Sequence, residues 1–459
     1  MGLYDTIIYN LPEVAAPKQK RLAFKEKLKW TLVILVLFYI LGLIPLYGLG
    51  GNALAQFEFL SIILGASFGS LVSLGIGPIV TASIVLQLLN GSGIVKFDLT
   101  SPEGKRRFQG TQKIMSLFFI FIEAVIYVYM GGLSPQQGIP ASILVFQLIV
   151  GGILILFMDE VVSKWGFGSG ISLFIAAGVS QSLFIRALSP LASPTNPAIA
   201  TGAIPALVQS LPEDPISAAI NFGAIVSTIL VFLVVVYFQS MKVEIPLSFG
   251  RIRGHGVRWP LNFLYTSNIP VILIAALIAN IQLFARLLQN SGRAWLGTFA
   301  GNSPATGLVA WLTPPNLVRG FITNSLRLHP WYNSDIVHAL FYMLVLIGGS
   351  VLFSVFWVQT SGLDAHSQAK QMMSSGLQIP GFRKDQRILE RLLNRYITPL
   401  TVMGGIAIGF LAGLADISGA LTSGTGLLLA VMIIYKLYED IARQHIADMN
   451  PMMRKFMGA

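Results

Sequence analysis

Glu123 is the one acid set deep inside a long apolar run of this chain. A carboxyl at that depth costs roughly 3 kcal/mol or more if it meets lipid, so it must face protein or water. Two kinds of chemistry fit it: the proton or ion site of a secondary transporter, or a hydrogen-bonded polar anchor between helices. A transporter of charged solutes normally carries more than one such group, and Glu123 has no companion. Asp416 lies near the end of an apolar run and is expected to be wet. The five histidines, His255, His329, His338, His366 and His445, are scattered without an HxxxH or HExxH pair. There is no cysteine, hence no disulfide framework and no thiolate metal site. Neither a Walker motif nor another nucleotide signature occurs. The apolar runs also lack the paired Ser/His or acid constellation of an intramembrane hydrolase. These residues point away from an enzyme, a metal centre or a cofactor, and toward passage through a membrane.

The composition agrees: of 459 residues, 54% are hydrophobic and 11% charged, and the mean hydropathy is +0.71. That is an all-α polytopic membrane protein. One stretch organises it. From Phe59 to Val95 no charge occurs. As one helix it would be ~55 Å long, against a hydrocarbon core of ~30 Å, so it cannot be one straight span. Gly65, Gly69, Gly75 and Gly77-Pro78 mark the break. The reading is a short half-helix over 56–68, then a full span over 71–89 kinked at Gly75-Ile76-Gly77-Pro78. A half-helix cannot cross lipid with unsatisfied ends, so it must be shielded by protein or line a cavity. The other spans are expected at 30–47, 112–130, 143–161, 170–188, 216–238, 264–285, 336–358, 397–414 and 420–438, ten in all with 71–89. Residues 1–29 precede them without a signal-peptide cleavage site. They carry Lys18, Lys20, Arg21, Lys25, Lys27 and Lys29 among Leu22, Phe24 and Leu28, as either a basic amphipathic surface helix or a solvated tail.

Ten spans put both termini on one side, and 26 of the 31 Lys and Arg fall on that side. The bias places both termini in the cytoplasm. Two cytoplasmic loops, 241–262 and 364–395, are richer in basic residues than topology requires. The first suggests a β-hairpin with Gly250-Arg251-Ile252-Arg253-Gly254 at its tip. The second holds Arg383 and Lys384, then Arg387, Arg391 and Arg395 on a helical spacing. Such tips suit phosphate-rich partners, RNA among them, or lipid head groups.

The chain also repeats. Ile76-Gly77-Pro78-Ile79-Val80 in the second span answers Asn268-Ile269-Pro270-Val271-Ile272 in the seventh. Gly168-Ser169-Gly170-Ile171 opens the fifth and Ser423-Gly424-Thr425-Gly426 the tenth. Five spans per copy invert the second copy, giving an N-terminal half over 30–190 and a C-terminal half over 216–440. An external linker, 191–215, joins them, and a cytoplasmic tail, 441–459, follows. The pathway should lie between the halves.

Four stretches resemble the SecY family of protein-conducting channels, in its archaeal branch. They are Val161-Val162-Ser163-Lys164-Trp165-Gly166-Phe167-Gly168-Ser169-Gly170-Ile171, Gly75 to Ala82, Val243-Glu244-Ile245-Pro246-Leu247 and Gly381-Phe382-Arg383. The likeness runs from the N-terminal segment to the tenth span. Segments 189–215 and 286–334 match the family poorly, and nothing is carried over there. The resemblance implies an hourglass channel between two inverted five-helix halves, closed outside by a re-entrant plug. The plug would hold Phe57, Phe59, Leu60, Ile62, Ile63 and Leu64. A ring of Ile76, Val80, Ile171, Ile175, Ile269, Ile272 and Leu429 would form the constriction. An apolar ring dewets and blocks ions at rest, yet has no binding chemistry to favour one polypeptide over another. Thr81, Glu123 and Asn280 would form a polar cluster at a lateral gate, where membrane segments leave for the lipid bilayer. Implied partners are a SecE-type small membrane subunit, a second small one-span β-type subunit, signal sequences and nascent polypeptides. The ribosome would dock on Arg251, Arg253, Arg383 and Lys384. The implied function is translocation of unfolded secretory polypeptides across the cytoplasmic membrane and lateral release of membrane segments. The alternative is a secondary transporter with inverted repeats.

Overall fold

The computed structural model describes residues 8, 10–19, 22–52, 54, 65–91, 94–95, 97, 101–191, 199–212, 214–249, 256–266, 269–300, 303–326, 334–374, 377–378 and 385–449. Ten long helices carry these residues. In the N-terminal half they are α1 (Phe24–Leu43), α2 (Gly77–Gly91), α3 (Pro102–Tyr129), α4 (Ala141–Trp165) and α5 (Gly170–Leu188). The C-terminal half has α6 (Pro215–Ser240), α7 (Ile269–Asn290), α8 (Asp335–Thr360), α9 (Gln386–Ile417) and α10 (Gly424–Met449). Seven of them, α3 to α9, are long and apolar enough to cross a membrane on their own. α1 carries Lys25, Lys27 and Lys29 in its first turns, whose long stems can reach the interface, and α10 is free of charge only from Gly424 to Tyr435, with Lys436, Glu439 and Asp440 in its middle. α2 is apolar but has only 15 residues, about 22 Å of helix.

The missing length of α2 is made up by turns. The expected half-helix does not extend to residue 68, and the second span does not begin at 71. Residues 65–76 form turns joined by short coil, with Ser70 bridging to Pro45 and with Gly65, Gly69 and Gly75 at positive φ. Only glycine adopts that backbone without strain. Pro78 is the second residue of α2, where it lacks no helical hydrogen bond, so it starts the helix instead of kinking it. Non-helical backbone at membrane depth must be buried in protein. It is: Val72, Ser73, Leu74 and Ile76 are each at most 1% exposed. The plug positions Phe57, Phe59, Leu60, Ile62, Ile63 and Leu64 lie outside the described residues.

Other boundaries move for local reasons. α7 starts at Ile269, five residues later than expected, again with proline second. α9 runs 32 residues, so the helical spacing of Arg387, Arg391 and Arg395 is the start of a membrane helix, with Pro399 inside it. Residues 10–19 are turn and coil, not a surface helix, and Lys25, Lys27 and Lys29 belong to the first turns of α1. This strap lies against α3 and α4. Val14 N–H donates to Glu160, Trp165 Nε1 donates to the Ala15 carbonyl, and Lys113 pairs with Glu160. The Lys164 ammonium, hydrogen-bonded to Glu13, holds that carboxyl below its ordinary value.

Among the described residues, three small sheets sit on the loops. β1 (Leu49–Asn52) pairs with β2 (Leu133–Pro135), and β5 (Thr298–Ala300) with β6 (Ser303–Thr306). The third contains the expected hairpin: β3 (Lys242–Phe249) runs antiparallel to β4 (Gly256–Asn262). It gains β7 (Leu377–Gln378) from the other basic loop, which pairs with Ser248 and Phe249. An apolar cluster of Ile245, Leu261, Ala369, Leu389 and Leu393 binds this sheet to the helix Ala365–Ser374 and the start of α9. Gln444 near the end of α10 donates to the Leu22 carbonyl, so both described ends meet on this basic face.

Candidate functional site

The seven side chains expected in the constriction share one apolar cluster. Ile76, Val80, Ile175, Ile272 and Leu429 are buried in it, and Ile171 and Ile269 pack against it half-buried. They come from α2, α5, α7 and α10, plus the last turn before α2. The repeat explains why they converge. Val80 and Ile272 each lie two residues after the proline that opens its helix. Ile175 and Leu429 each lie five residues after the glycine that opens theirs. Two side chains per half thus occupy equivalent places.

A cavity of about 440 Å³ reaches this cluster, with Val80, Ile171, Ile269 and Ile272 in its wall. Lys105 near the start of α3, Ser169 and Ser172 at the start of α5, and Trp357 and Ser361 at the end of α8 also line it. It therefore opens on the basic face and ends on aliphatic side chains. Toward the opposite face, the backbone leaving the expected plug touches the cluster. A Cβ placed on Gly65 would lie 3.8 Å from Ile76 Cγ2 and 3.6 Å from Phe174 Cβ.

Thr81 on α2, Glu123 on α3 and Asn280 on α7 meet beside the cluster. Asn280 Nδ2 donates to Thr81 Oγ1 at 2.9 Å. The Thr81 hydroxyl lies within reach of the Gly77 carbonyl at 2.8 Å and of Glu123 Oε1 at 3.3 Å. Glu123 is 1% exposed and Asn280 6%. The network is only partly satisfied: among the described residues, Glu123 Oε2, Asn280 Oδ1 and Tyr127 Oη are buried without a hydrogen-bond partner. Such a network holds a seam more weakly than its number of polar groups suggests. Arg251, Arg253, Arg383 and Lys384 lie outside the described residues, but the strands that flank them are paired in one sheet.

Asp416 is not wet. It is 8% exposed and accepts from Tyr342 Oη at 2.8 Å, from Thr425 N–H at 2.8 Å and from the Thr425 hydroxyl. Asp159, which sequence reasoning passed over, accepts from Ile171 N–H at 2.9 Å. Also unforeseen is a serine clasp in the turns before α2. Gly69 N–H donates to Ser73 Oγ at 2.9 Å, Ser67 Oγ donates to the Gly42 carbonyl at 3.2 Å, and Ser70 Oγ donates to the Ser67 carbonyl at 2.7 Å. The spacing of three between Ser67, Ser70 and Ser73, among glycines, was the available signal. Ser73→Ala leaves the Gly69 N–H without its side-chain acceptor, which should cost about 1–3 kcal/mol. The expected result is a lower thermal unfolding midpoint of the purified protein in detergent; an unchanged midpoint would mean that backbone contacts alone hold the turns.

A profile of the SecY family matches residues 70–438. The protein translocase subunit SecY of Pyrococcus furiosus is 45% identical, over 100% of both chains. Among solved structures the chain is similar to one described as the structure of a protein conducting channel. The TM-score is 0.83 at 44% identity, over 96% of this chain and 97% of that one. It is also similar to Sec61 in the canine ribosome-channel complex from the endoplasmic reticulum, with TM-score 0.80 at 42% identity over the same shares.

Proposed function

The chain belongs to the SecY family, and from that membership we propose that its aliphatic cluster is the pore constriction and its Thr81–Glu123–Asn280 seam the lateral gate. The protein is the channel subunit of a translocase: it passes unfolded polypeptides across a membrane and releases membrane segments sideways. The observation that supports the assignment most is a cavity open on the basic face that ends on Val80, Ile171, Ile269 and Ile272. A polypeptide that passes the polar mouth of this cavity reaches Val80, Ile171, Ile269 and Ile272, aliphatic side chains that close on it without selecting among sequences. Glu123 is hydrogen-bonded in a helix seam outside that cavity, and the acid in the cavity wall, Asp159, is engaged by the start of α5, which disfavours an ion-coupled transporter.

The same reading makes the protein a conduit and not an enzyme, with the driving energy supplied from outside. The basic excess supports a protein of the cytoplasmic membrane with the hairpin face and both termini in the cytoplasm. The Sec61 relative stands in a ribosome-channel complex, and the paired basic loops are the surface on which this chain would dock a ribosome. A SecE-type subunit and a one-span β-type subunit complete the assembly, and the stretch that holds Phe57 to Leu64 supplies the plug.

The gate is tested at Asn280. Its amide bond to Thr81 favours the closed seam by about 0.5–1.5 kcal/mol. Asn280→Leu removes that bond and adds apolar surface, so it should shift how hydrophobic a segment must be to enter the bilayer. The measurement is insertion efficiency for a graded series of test segments in reconstituted vesicles. Superimposable curves for the two proteins would show that the cluster is packing alone and that the threshold is set elsewhere.

A further inference from the structure

The two halves carry the same lock at the helix starts that face the pore. In the N-terminal half, Asp159 near the end of α4 accepts from Ile171 N–H, the second residue of α5, at 2.9 Å. The Gly170 N–H points to the same carboxyl. In the C-terminal half, Asp416 near the end of α9 accepts from Thr425 N–H, the second residue of α10, at 2.8 Å. The Gly424 N–H points to that carboxyl as well. Corresponding helices and the same two backbone donors, the first and second residues of the fifth helix, recur in both copies, with Asp159 standing 11 residues before Gly170 and Asp416 eight before Gly424. The glycines are part of the device. A Cβ on Gly170 would lie 2.6 Å from Asp159 Cα, and one on Gly424 would lie 1.9 Å from the Ala415 carbonyl carbon. Each helix start therefore sits directly against the backbone of the helix before it.

What these starts carry is the seal. Ile171 is itself a bonded residue of the first lock, and Ile175 lies one turn further along α5. Leu429 lies one turn beyond Thr425 on α10. Because the halves are inverted, the two locks act from opposite faces of the membrane toward one constriction.

We propose that Asp159 and Asp416 are the positioning residues of the pore seal, each setting the depth and rotation at which the fifth helix of its half presents aliphatic side chains to the constriction. The carboxylates act through Ile171, Ile175 and Leu429; Asp159 also stands in the wall of the cavity, and the Asn and Glu variants below separate its charge from its tether. This rests on the assignment of those three to the constriction, and the test separates the two.

The experiment measures resting ion conductance of the full chain in planar bilayers, in a background lacking residues 57–67 so that the plug cannot mask a leak. Asp159→Leu and Asp416→Leu remove the acceptor and keep the branch at Cγ, with some added bulk. Asp159→Asn and Asp416→Asn keep one acceptor oxygen. Asp159→Glu and Asp416→Glu keep charge and acceptor but lengthen the tether by one methylene. Ile175→Gly and Leu429→Gly are run beside them. The Leu and Glu variants should raise resting conductance about tenfold or more, which corresponds to ~1.4 kcal/mol in the sealed-to-unsealed equilibrium. The Asn variants should leak much less, and thermal midpoints should not track the leak. A cap that only stabilises its helix would tolerate Glu and give tight channels with lowered midpoints. Tight Asp variants beside leaking Gly variants would overturn the proposal and leave the constriction in place. Tight channels throughout would overturn both. If the Leu variants fail to fold, the Glu variants decide alone.

Discussion

Replacing Ile76, Ile171 and Ile269 with serine should turn the resting channel into an ion conductor. The three come from the turn before α2, from α5 and from α7, and all belong to the apolar cluster at the end of the cavity. The barrier to ions at such a constriction is dewetting: water is not stable in a narrow aliphatic passage, and ions do not cross without water. Each isoleucine contributes roughly 1.5–3 kcal/mol of preference for staying out of water, and a hydroxyl reverses that at the pore surface. Three changes around one ring should therefore wet it fully. Gly65 packs against Ile76 and Phe174, so the segment that leads from the plug could still cover the passage. The serine variant should therefore be measured both with and without residues 57–67. Steady conductance in planar bilayers is expected at least in the shortened form, against a tight unsubstituted ring. If neither form conducts, these side chains do not form the ring.

The second large effect is expected at the basic loops. Arg253→Glu together with Arg383→Glu should weaken ribosome binding by on the order of tenfold or more at ~0.15 M salt. β7 pairs with Ser248 and Phe249, so the two loops leave the membrane face as one sheet, held by the apolar cluster beneath it. Arg253 follows Phe249 by four residues and Arg383 follows Gln378 by five, so both basic tips are tethered to strands of one sheet. A rigid platform loses less entropy on docking than two free loops would. Each lost phosphate contact also releases fewer counterions, so the slope of log affinity against log salt should become shallower by about 1 per residue. Binding of the variant and the unsubstituted protein across a salt series checks both numbers. Identical curves would return these loops to lipid head groups.

How far the site could be read in advance differed residue by residue. Thr81, Glu123 and Asn280 were named together only through the family resemblance; their hydrogen bonds span 42 and 199 positions of the chain. The hairpin was legible because alternating residues around a glycine-rich tip form a local pattern, and β7 was not, because two residues carry no period. Pro78 was read as a kink because it stands inside an uncharged run. Serines and glycines before it replace helical hydrogen bonds with turns, and composition alone does not show that exchange. Asp416 was misread because closeness to a span end says nothing of what folds over it. Tyr342 and Thr425 do, from 74 and 9 positions away.

By itself the sequence determined an all-α membrane protein of ten spans, the side on which its cations gather, the break before α2 and the inverted repeat. Those properties follow from transfer of each segment into a hydrocarbon layer about 30 Å thick, a cost that adds residue by residue along a local window. Only the tertiary structure decided which polar groups pair across helices, that the two basic loops share a sheet, and that Asp159 and Asp416 lock equivalent helix starts. A hydrogen bond between helices needs atoms within about 3 Å and correct direction. That depends on the rotation and height of every helix packed around it, so no window of the chain contains it.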